Sequence, residues 1–213
     1  MDKNQFLFLL GGLKWTLALS AIGFALGSVA GLSVALARTS GRRWLERGAA
    51  AYIALFQGTP LLMQLFVVYY GVALAGLKLD PWVSVSIGFT LHAGAFLGEI
   101  WRGSIEAVPR GQVEAAKALS LGYLDRMKDV VLPQAIRISL PTTIGFLVQL
   151  IKGTSLAAII GFTELMRAGT IVSNQNFKPL LVLGLVCALY FALCWPLSLY
   201  GAWLERRLVT AAR

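Results

Sequence analysis

Five apolar stretches constrain this chain more than any other feature: Trp15 to Ala37, Tyr52 to Leu77, Trp82 to Trp101, Ile138 to Phe162 and Leu180 to Leu204. Each reaches or exceeds the ~20 residues that a helix rising about 1.5 Å per residue needs to cross ~30 Å of hydrocarbon. Inside a bilayer the backbone must satisfy its own hydrogen bonds, so these segments are expected to be helices. Composition agrees: 57% of the residues are apolar and 14% charged, the mean hydropathy is +0.72, and an average soluble domain carries roughly 25% charged residues. The expectation is an all-α, polytopic membrane bundle of five spans, about 15–37, 52–77, 82–101, 138–162 and 180–204. It forms a single transmembrane domain over residues 1–213, with a cytoplasmic loop over about 103–137.

An odd number of spans puts the termini on opposite sides, and Lys and Arg then set the orientation, because cytoplasmic flanks retain positive charge. One side collects Arg38, Arg42, Arg43, Arg47, Arg102, Arg110, Lys117, Arg126, Lys128, Arg137, Arg206, Arg207 and Arg213. The other keeps Lys3, Lys14, Lys78, Arg167 and Lys178, with Lys152 inside a span. The N-terminus is therefore expected outside and the C-terminus in the cytoplasm. The net charge of +9 follows this topology, which favours anionic lipid over nucleic acid as its partner. Trp15, Trp44, Trp82, Trp101 and Trp203 fall at predicted span ends, where amphipathic rings prefer to sit. The first apolar region is too long for a cleavable signal, and residues 2–14 are expected to lie as an interfacial segment before the first span.

Within span one, Gly23, Gly27 and Gly31 recur every four residues, a stripe that lets a second helix approach closely in lipid. Packing within the chain is favoured over a subunit interface. Pro60 and Pro196 are expected to perturb their spans. Cys187 and Cys194, seven apart on one helix face, read as packing residues rather than as a disulfide or metal site.

Ionisable groups at membrane depth are costly unless they face protein or water. Glu99 falls close to the cytoplasmic boundary, where Arg102, one turn on, is its expected partner; a place in a transport path is the alternative. Lys152 opens KGTS in the outer half of a span, and a broken helix lining a polar cavity would account for the cation, Thr154 and Ser155 together. Snorkelling to the headgroups competes with that reading. His92 is mid-membrane, where helix packing is favoured over ligand contact.

The polar island Gly111 to Arg137 stands apart from all of this. Pro109 suits a helix start, and Gln112 through Leu119 are mostly strong helix formers. Ser120, Gly122 and Tyr123 interrupt the helix; a second stretch carries Leu124, Met127, Val130 and Val131, and Pro133 is expected to end it before span four. A small-faced Ala-Ala helix with Glu at its start looks shaped to dock in a groove.

At these residues the chain resembles a known family. Glu114-Ala115-Ala116, followed by Val130-Val131-Leu132-Pro133, is similar to the cytoplasmic loop of ATP-binding cassette importer permeases. GTPLLMQLFVVYYG (58–71), GEIWRGSIEAVPRGQVEAAKAL (98–119), LPQAIRISLP (132–141) and KGTSLAAIIGFTEL (152–165) resemble the polar amino-acid uptake branch, and the similarity covers nearly the whole chain. The resemblance implies a type I importer permease fold in the bacterial cytoplasmic (inner) membrane. It also implies two ATPase subunits docked below, a second permease that is a copy or a paralogue, and an external substrate-binding protein. Coupling to the ATPases would fall on Gly111, Glu114, Ala115, Ala116, Lys117, Ala118, Leu119, Ser120 and Gly122. The substrate path would draw on His92, Glu99, Lys152, Thr154, Ser155 and Gln57.

Some residues depart from the family pattern. Ser120 stands where Gly is usual and Gly122 where Ser is common, so the left-handed turn is expected to be displaced or relaxed. Gln57 replaces the Arg that usually precedes Gly-Thr-Pro, and Gly145 and Gly153 replace Asn and Asp. No G-x-x-x-x-G-K-[ST] phosphate loop is present. The chain is thus expected to be no enzyme and to hold no cofactor or metal, with ATP and Mg bound by the partner ATPase. An ion-coupled secondary transporter or a non-transporting assembly subunit is the alternative.

Overall fold

The computed structural model describes residues 2–211. In chain order they form α1 (Lys3–Arg38), α2 (Arg43–Gln57), α3 (Leu61–Leu74), α4 (Pro81–Glu106), α5 (Arg110–Ala118), α6 (Tyr123–Ala158), α7 (Leu165–Asn176) and α8 (Pro179–Ala211). α1, α4, α6 and α8 are each long and apolar enough to cross a membrane; α2 and α3 together make a fifth candidate, bent by 104°.

Four expectations need correction. The segment 2–14 is not a separate interfacial piece, because α1 runs unbroken for 36 residues, about 54 Å at 1.5 Å per residue. Leu9 is buried in a cluster with α7 and α8, and a Cβ on Gly12 would lie 2.8 Å from the Ala168 Cβ. One face of this stretch therefore packs on α7 and α8, while Phe6, Leu7 and Phe8 stay exposed. Span two is not one helix over 52–77. Pro60 cannot donate to the helix and drives Thr59 out of it, so the chain turns sharply between Gln57 and Leu61.

Pro133 does not end a helix. Arg126–Val131 winds as a π-helix just before it, a wider turn that accommodates proline's missing N–H, and α6 continues. Gln134 Nε2 donates to the Val130 carbonyl beside this wider turn at 2.9 Å. Span four, finally, does not run to 162 as an α-helix: it tightens into a 3₁₀ turn over Thr154–Ala158 and reverses at Gly161, φ 95°. The short helix α7 then occupies a region expected to be a connection. Pro196 lies inside α8, which runs on as one helix.

α4 is the central element. Its Val85, Phe89, Ala93 and Leu97 form the main core with Leu19 of α1, Leu65 of α3, and Phe146 and Leu150 of α6. Small residues bring the backbones together, as van der Waals association in lipid requires. A Cβ on Gly27 would lie 2.4 Å from that of Ala93, and one on Gly31 would lie 2.9 Å from that of Leu97. The glycine stripe of span one is thus consumed within the chain, against α4. A second cluster joins Leu9, Leu165, Ala168 and Val172 to Val182 and Val186 of α8. Cys194 is buried and Cys187 exposed, both as free thiols.

Candidate functional site

The polar island folds as a bracket at one end of the bundle. α5 starts after Pro109, whose carbonyl receives Gln112 N–H at 3.0 Å. Ala116 is 3% exposed, and Val113 of the same helix packs with Ile105 and Met127 against a cluster of Val108, Val131 and Ala135. The bracket is thereby fixed to the ends of both α4 and α6. Glu114, Ala115, Lys117, Ala118 and Leu119 face outward. Leu119 is 76% exposed and Leu124 77%, and a cavity of about 480 Å³ opens beside Val113, Glu114 and Lys117. Val113 is therefore an anchor of the bracket, while its outward neighbours form the surface.

The turn after α5 has not moved. Ser120 takes the left-handed conformation itself, φ 57°, while Gly122 is extended at φ −59° and ψ 168°. Leu121 N–H reaches the Ala116 carbonyl at 3.1 Å, and Ser120 N–H reaches that of Lys117 at 2.9 Å, the paired closure that follows a left-handed residue at a helix end. These two bonds and the seat of Ala116 hold a serine where glycine would be free of strain.

The residues expected at membrane depth separate into three places. His92 Nδ1 lies 2.9 Å from Gln64 Oε1, and its ring packs on Phe96 and Phe146. Gln64 Nε2 in turn donates to the Phe56 carbonyl at 2.7 Å and the Thr59 carbonyl at 2.9 Å. Two carbonyl acceptors fix which end of the amide is NH₂, so Gln64 Oε1 is the acceptor and His92 Nδ1 carries the proton. His92 thus steadies the residue that satisfies the broken α2–α3 backbone, a break of the kind tolerated where protein or a cavity replaces lipid. Gln57 is exposed at that break.

Glu99 closes on Arg102 at 2.5 Å, and the same guanidinium takes Glu106 at 2.5 Å. Lys152 is exposed. Ser155 Oγ donates to the Lys152 carbonyl at 2.8 Å, and Thr154 Oγ1 donates to that of Ile151 at 2.7 Å; these bonds back onto the helix accompany its tightening. Thr154 is fully buried, so Lys152 and Ser155, but not Thr154, face open space. The structure does not bring the six candidates into one pocket.

Glu164 escaped the sequence reading. It is fully buried and caps α7, accepting from Met166 N–H and Arg167 N–H at 2.9 Å each. Tyr190 Oη of α8 donates to it at 2.7 Å, and Thr16 Oγ1 of α1 at 3.3 Å. One carboxylate thus pins three helices. Its signal was an acidic residue between the turn glycine Gly161 and the helix formers Leu165 and Met166, a helix-start pattern. Among the described residues no three His, Cys, Asp or Glu side chains gather as a possible metal site.

Comparison with known proteins gives a concordant picture. Residues 7–210 match the family model described as the inner membrane component of binding-protein-dependent transport systems. The chain is 38% identical over 199 residues to the L-cystine transport system permease protein TcyB of Bacillus subtilis, covering 93% of this chain and 85% of that protein. It is 35% identical over 204 residues to the probable amino-acid ABC transporter permease protein YckA of the same organism, covering 96% and 90%. Among solved structures, an amino acid ABC transporter crystallised with histidines superposes with a TM-score of 0.88 at 28% identity, over 97% of this chain and 99% of that one. The inward-facing MetNI methionine ABC transporter shares the fold, with a TM-score of 0.81 at 19% identity over 98% and 99%.

Proposed function

The chain belongs to the family of inner membrane components of binding-protein-dependent transport systems, and from that membership we propose that it forms the path for a polar amino acid in an ATP-binding cassette importer. Two ATPase subunits dock on the outward face of α5, a second permease completes the path, and an external binding protein delivers the solute. ATP and Mg belong to the ATPases. The complex sits in the bacterial inner membrane with the N-terminus of this chain outside and its C-terminus in the cytoplasm.

One observation carries the reading. α5 presents Glu114, Ala115, Lys117, Ala118 and Leu119 to solvent while Val113 roots it on the ends of α4 and α6. A push on that surface moves two spans at once, as rigid-body switching between inward-open and outward-open states requires. The sharp break between α2 and α3 and the 3₁₀ turn of α6 supply non-helical backbone of the sort that lines transport paths. The amino-acid class is supported by what the similar permeases are named for.

The test is co-purification of the importer carrying Glu114→Lys or Leu119→Asp, with ATP hydrolysis measured in lipid. Recovery of the ATPase with the permeases should fall about ten-fold, since burying a reversed or unpaired charge at an interface costs several kcal/mol. Unchanged recovery and unchanged solute-stimulated hydrolysis in both variants would refute docking at α5. Ala116→Phe should instead lower the yield of folded permease, because Ala116 faces inward.

A further inference from the structure

α7 has two faces. Leu165, Ala168, Gly169, Val172 and Ser173 are buried, and this face packs on α1 and α8. The other carries Arg167, Thr170 and Asn174 in one helical stripe, with Arg167 half-buried and Thr170 and Asn174 exposed. A cavity of about 580 Å³ opens on this stripe, walled by Leu156, Ile159 and Met166 and edged by Ser155, Arg167 and Thr170. An apolar hollow with a few convergent polar groups is the usual form of a small-molecule site, and this volume lies inside the usual range of about 300–1,000 Å³.

Arg167 is the unusual member. Glu164 stands three residues before it, the same spacing at which Glu99 closes on Arg102. Glu164 does not pair with it. Its oxygens are taken by Tyr190, Thr16 and two backbone amides on the buried side. Among the described residues no other carboxylate pairs with Arg167 either; its one hydrogen bond from the guanidinium runs from Nη1 to the Ala158 carbonyl at 3.1 Å. That bond holds the group over the cavity and leaves most of its five donors free. Gly161 makes room for it: a Cβ there would lie 3.3 Å from Arg167 Nη1. A guanidinium held over an apolar hollow with no carboxylate partner in the chain is a ready receptor for a carboxylate that enters it.

We propose that Arg167 receives the α-carboxylate of the transported amino acid in the cavity between α7 and the 3₁₀ turn of α6, with Ser155 and Thr170 as flanking hydroxyls. This rests on the amino-acid reading above. The planar fork of Arg matches a carboxylate through two parallel hydrogen bonds, which Lys cannot reproduce. Glu164 acts indirectly: capped and buried, it holds α7 in place while leaving the charge on Arg167 unspent.

The complete importer, reconstituted in liposomes with its binding protein, is first offered radiolabelled L-amino acids, L-cystine and L-glutamine among them. Uptake of none would remove the amino-acid reading and this inference with it. The accepted solute and its carboxamide are then bound at equilibrium to the same permease–ATPase complex in nanodiscs, without the binding protein, with ATP hydrolysis as the check on assembly. Arg167→Gln should weaken binding of the acid about ten-fold or more, and Arg167→Lys about three-fold. Wild type should bind the carboxamide as weakly as Arg167→Gln binds the acid. If Arg167→Gln binds the acid as wild type does, the proposal fails. It also fails if wild type holds acid and carboxamide equally, a result that needs no variant to fold.

Discussion

The chain carries the pattern Glu-x-x-Arg twice, once within a helix and once at a helix start, and uses it in opposite ways. In the last third of α4, Glu99 and Arg102 close at 2.5 Å, and Arg102 bonds Glu106 as well. At the start of α7, Glu164 and Arg167 share the same order and spacing, but the carboxylate turns inward to Tyr190, Thr16 and two amides. Position in the helix accounts for the difference. Glu99 sits mid-helix, where every nearby amide is already bonded, so a neighbouring cation is its best partner. Glu164 sits at the cap, where orphan N–H groups compete for it and win because they are fixed in place. Charge spacing along a helix thus decides which pairs can form, and the surrounding donors decide which do.

The largest effect should come from removing the inward-turned carboxylate. Glu164→Ala leaves a tyrosine hydroxyl, a threonine hydroxyl and two amides without their acceptor in a dry interior. Each such group costs about 1–3 kcal/mol, and breaking a buried charged network costs about 3–5 kcal/mol. Thermal unfolding of the purified importer should show loss of stable assembly; a variant as stable as wild type would mean that water or another donor relieves these groups. Tyr190→Phe is the sharper cut, since it removes one donor at constant shape. It should cost about 1.5–3 kcal/mol, the range for a hydrogen bond to a charged group. If Glu164 then swings to Arg167, combining Tyr190→Phe with Arg167→Gln will give strong non-additivity in unfolding, and additivity would show that the cap alone holds the carboxylate.

Legibility in the sequence followed the same division. Spans whose apolar runs are long and unbroken, α4 and α8 above all, were readable from hydropathy, and so was the Glu99–Arg102 pair, because both partners lie within one helix. The glycine stripe of α1 announced a close neighbour and left its identity to the fold. The break between α2 and α3 was half legible, since Pro60 marked a perturbation without its size. Nothing local indicated that Gln64, eight residues on, would collect the Phe56 carbonyl, or that His92 would steady it. Glu164 was missed for the same reason: its four partners lie on α1, α8 and the first turn of its own helix, and only folding brings α1 and α8 to it. The outward residues of α5 were legible as a surface; that Val113 would be its root depended on Val108 and Val131 meeting beneath it.

Left-handed residues stand at two other turns, Gly161 before α7 and Ser120 after α5, and the second invites a gain of stability. Ser120→Gly removes the crowding of a Cβ in that conformation, about 1–2 kcal/mol, against the extra freedom glycine gains when the turn opens, roughly 0.5–1 kcal/mol. The net should be up to about 1 kcal/mol in favour of the closed turn. Because α5 opens locally, global unfolding will not report it, and amide hydrogen exchange will. Protection of the Ser120 and Leu121 amides should rise by up to about five-fold. A fall would mean that the serine hydroxyl makes a bond worth more than the strain it carries.

The smallest effect belongs to the pair that looks strongest on geometry. Arg102→Gln removes two ion pairs of 2.5 Å, yet the carboxylates of Glu99 and Glu106 are 33% and 56% exposed. Water takes over much of what the guanidinium supplied, and salt screens the remainder. The cost should stay within about 1 kcal/mol and shrink between low and high ionic strength, read as a shift in unfolding temperature of the reconstituted importer. That ordering is the test of the comparison. A salt-insensitive loss as large as that of Glu164→Ala would mean that the C-terminal end of α4 is drier in the assembled importer than in the single chain, with a partner subunit seated over Glu106.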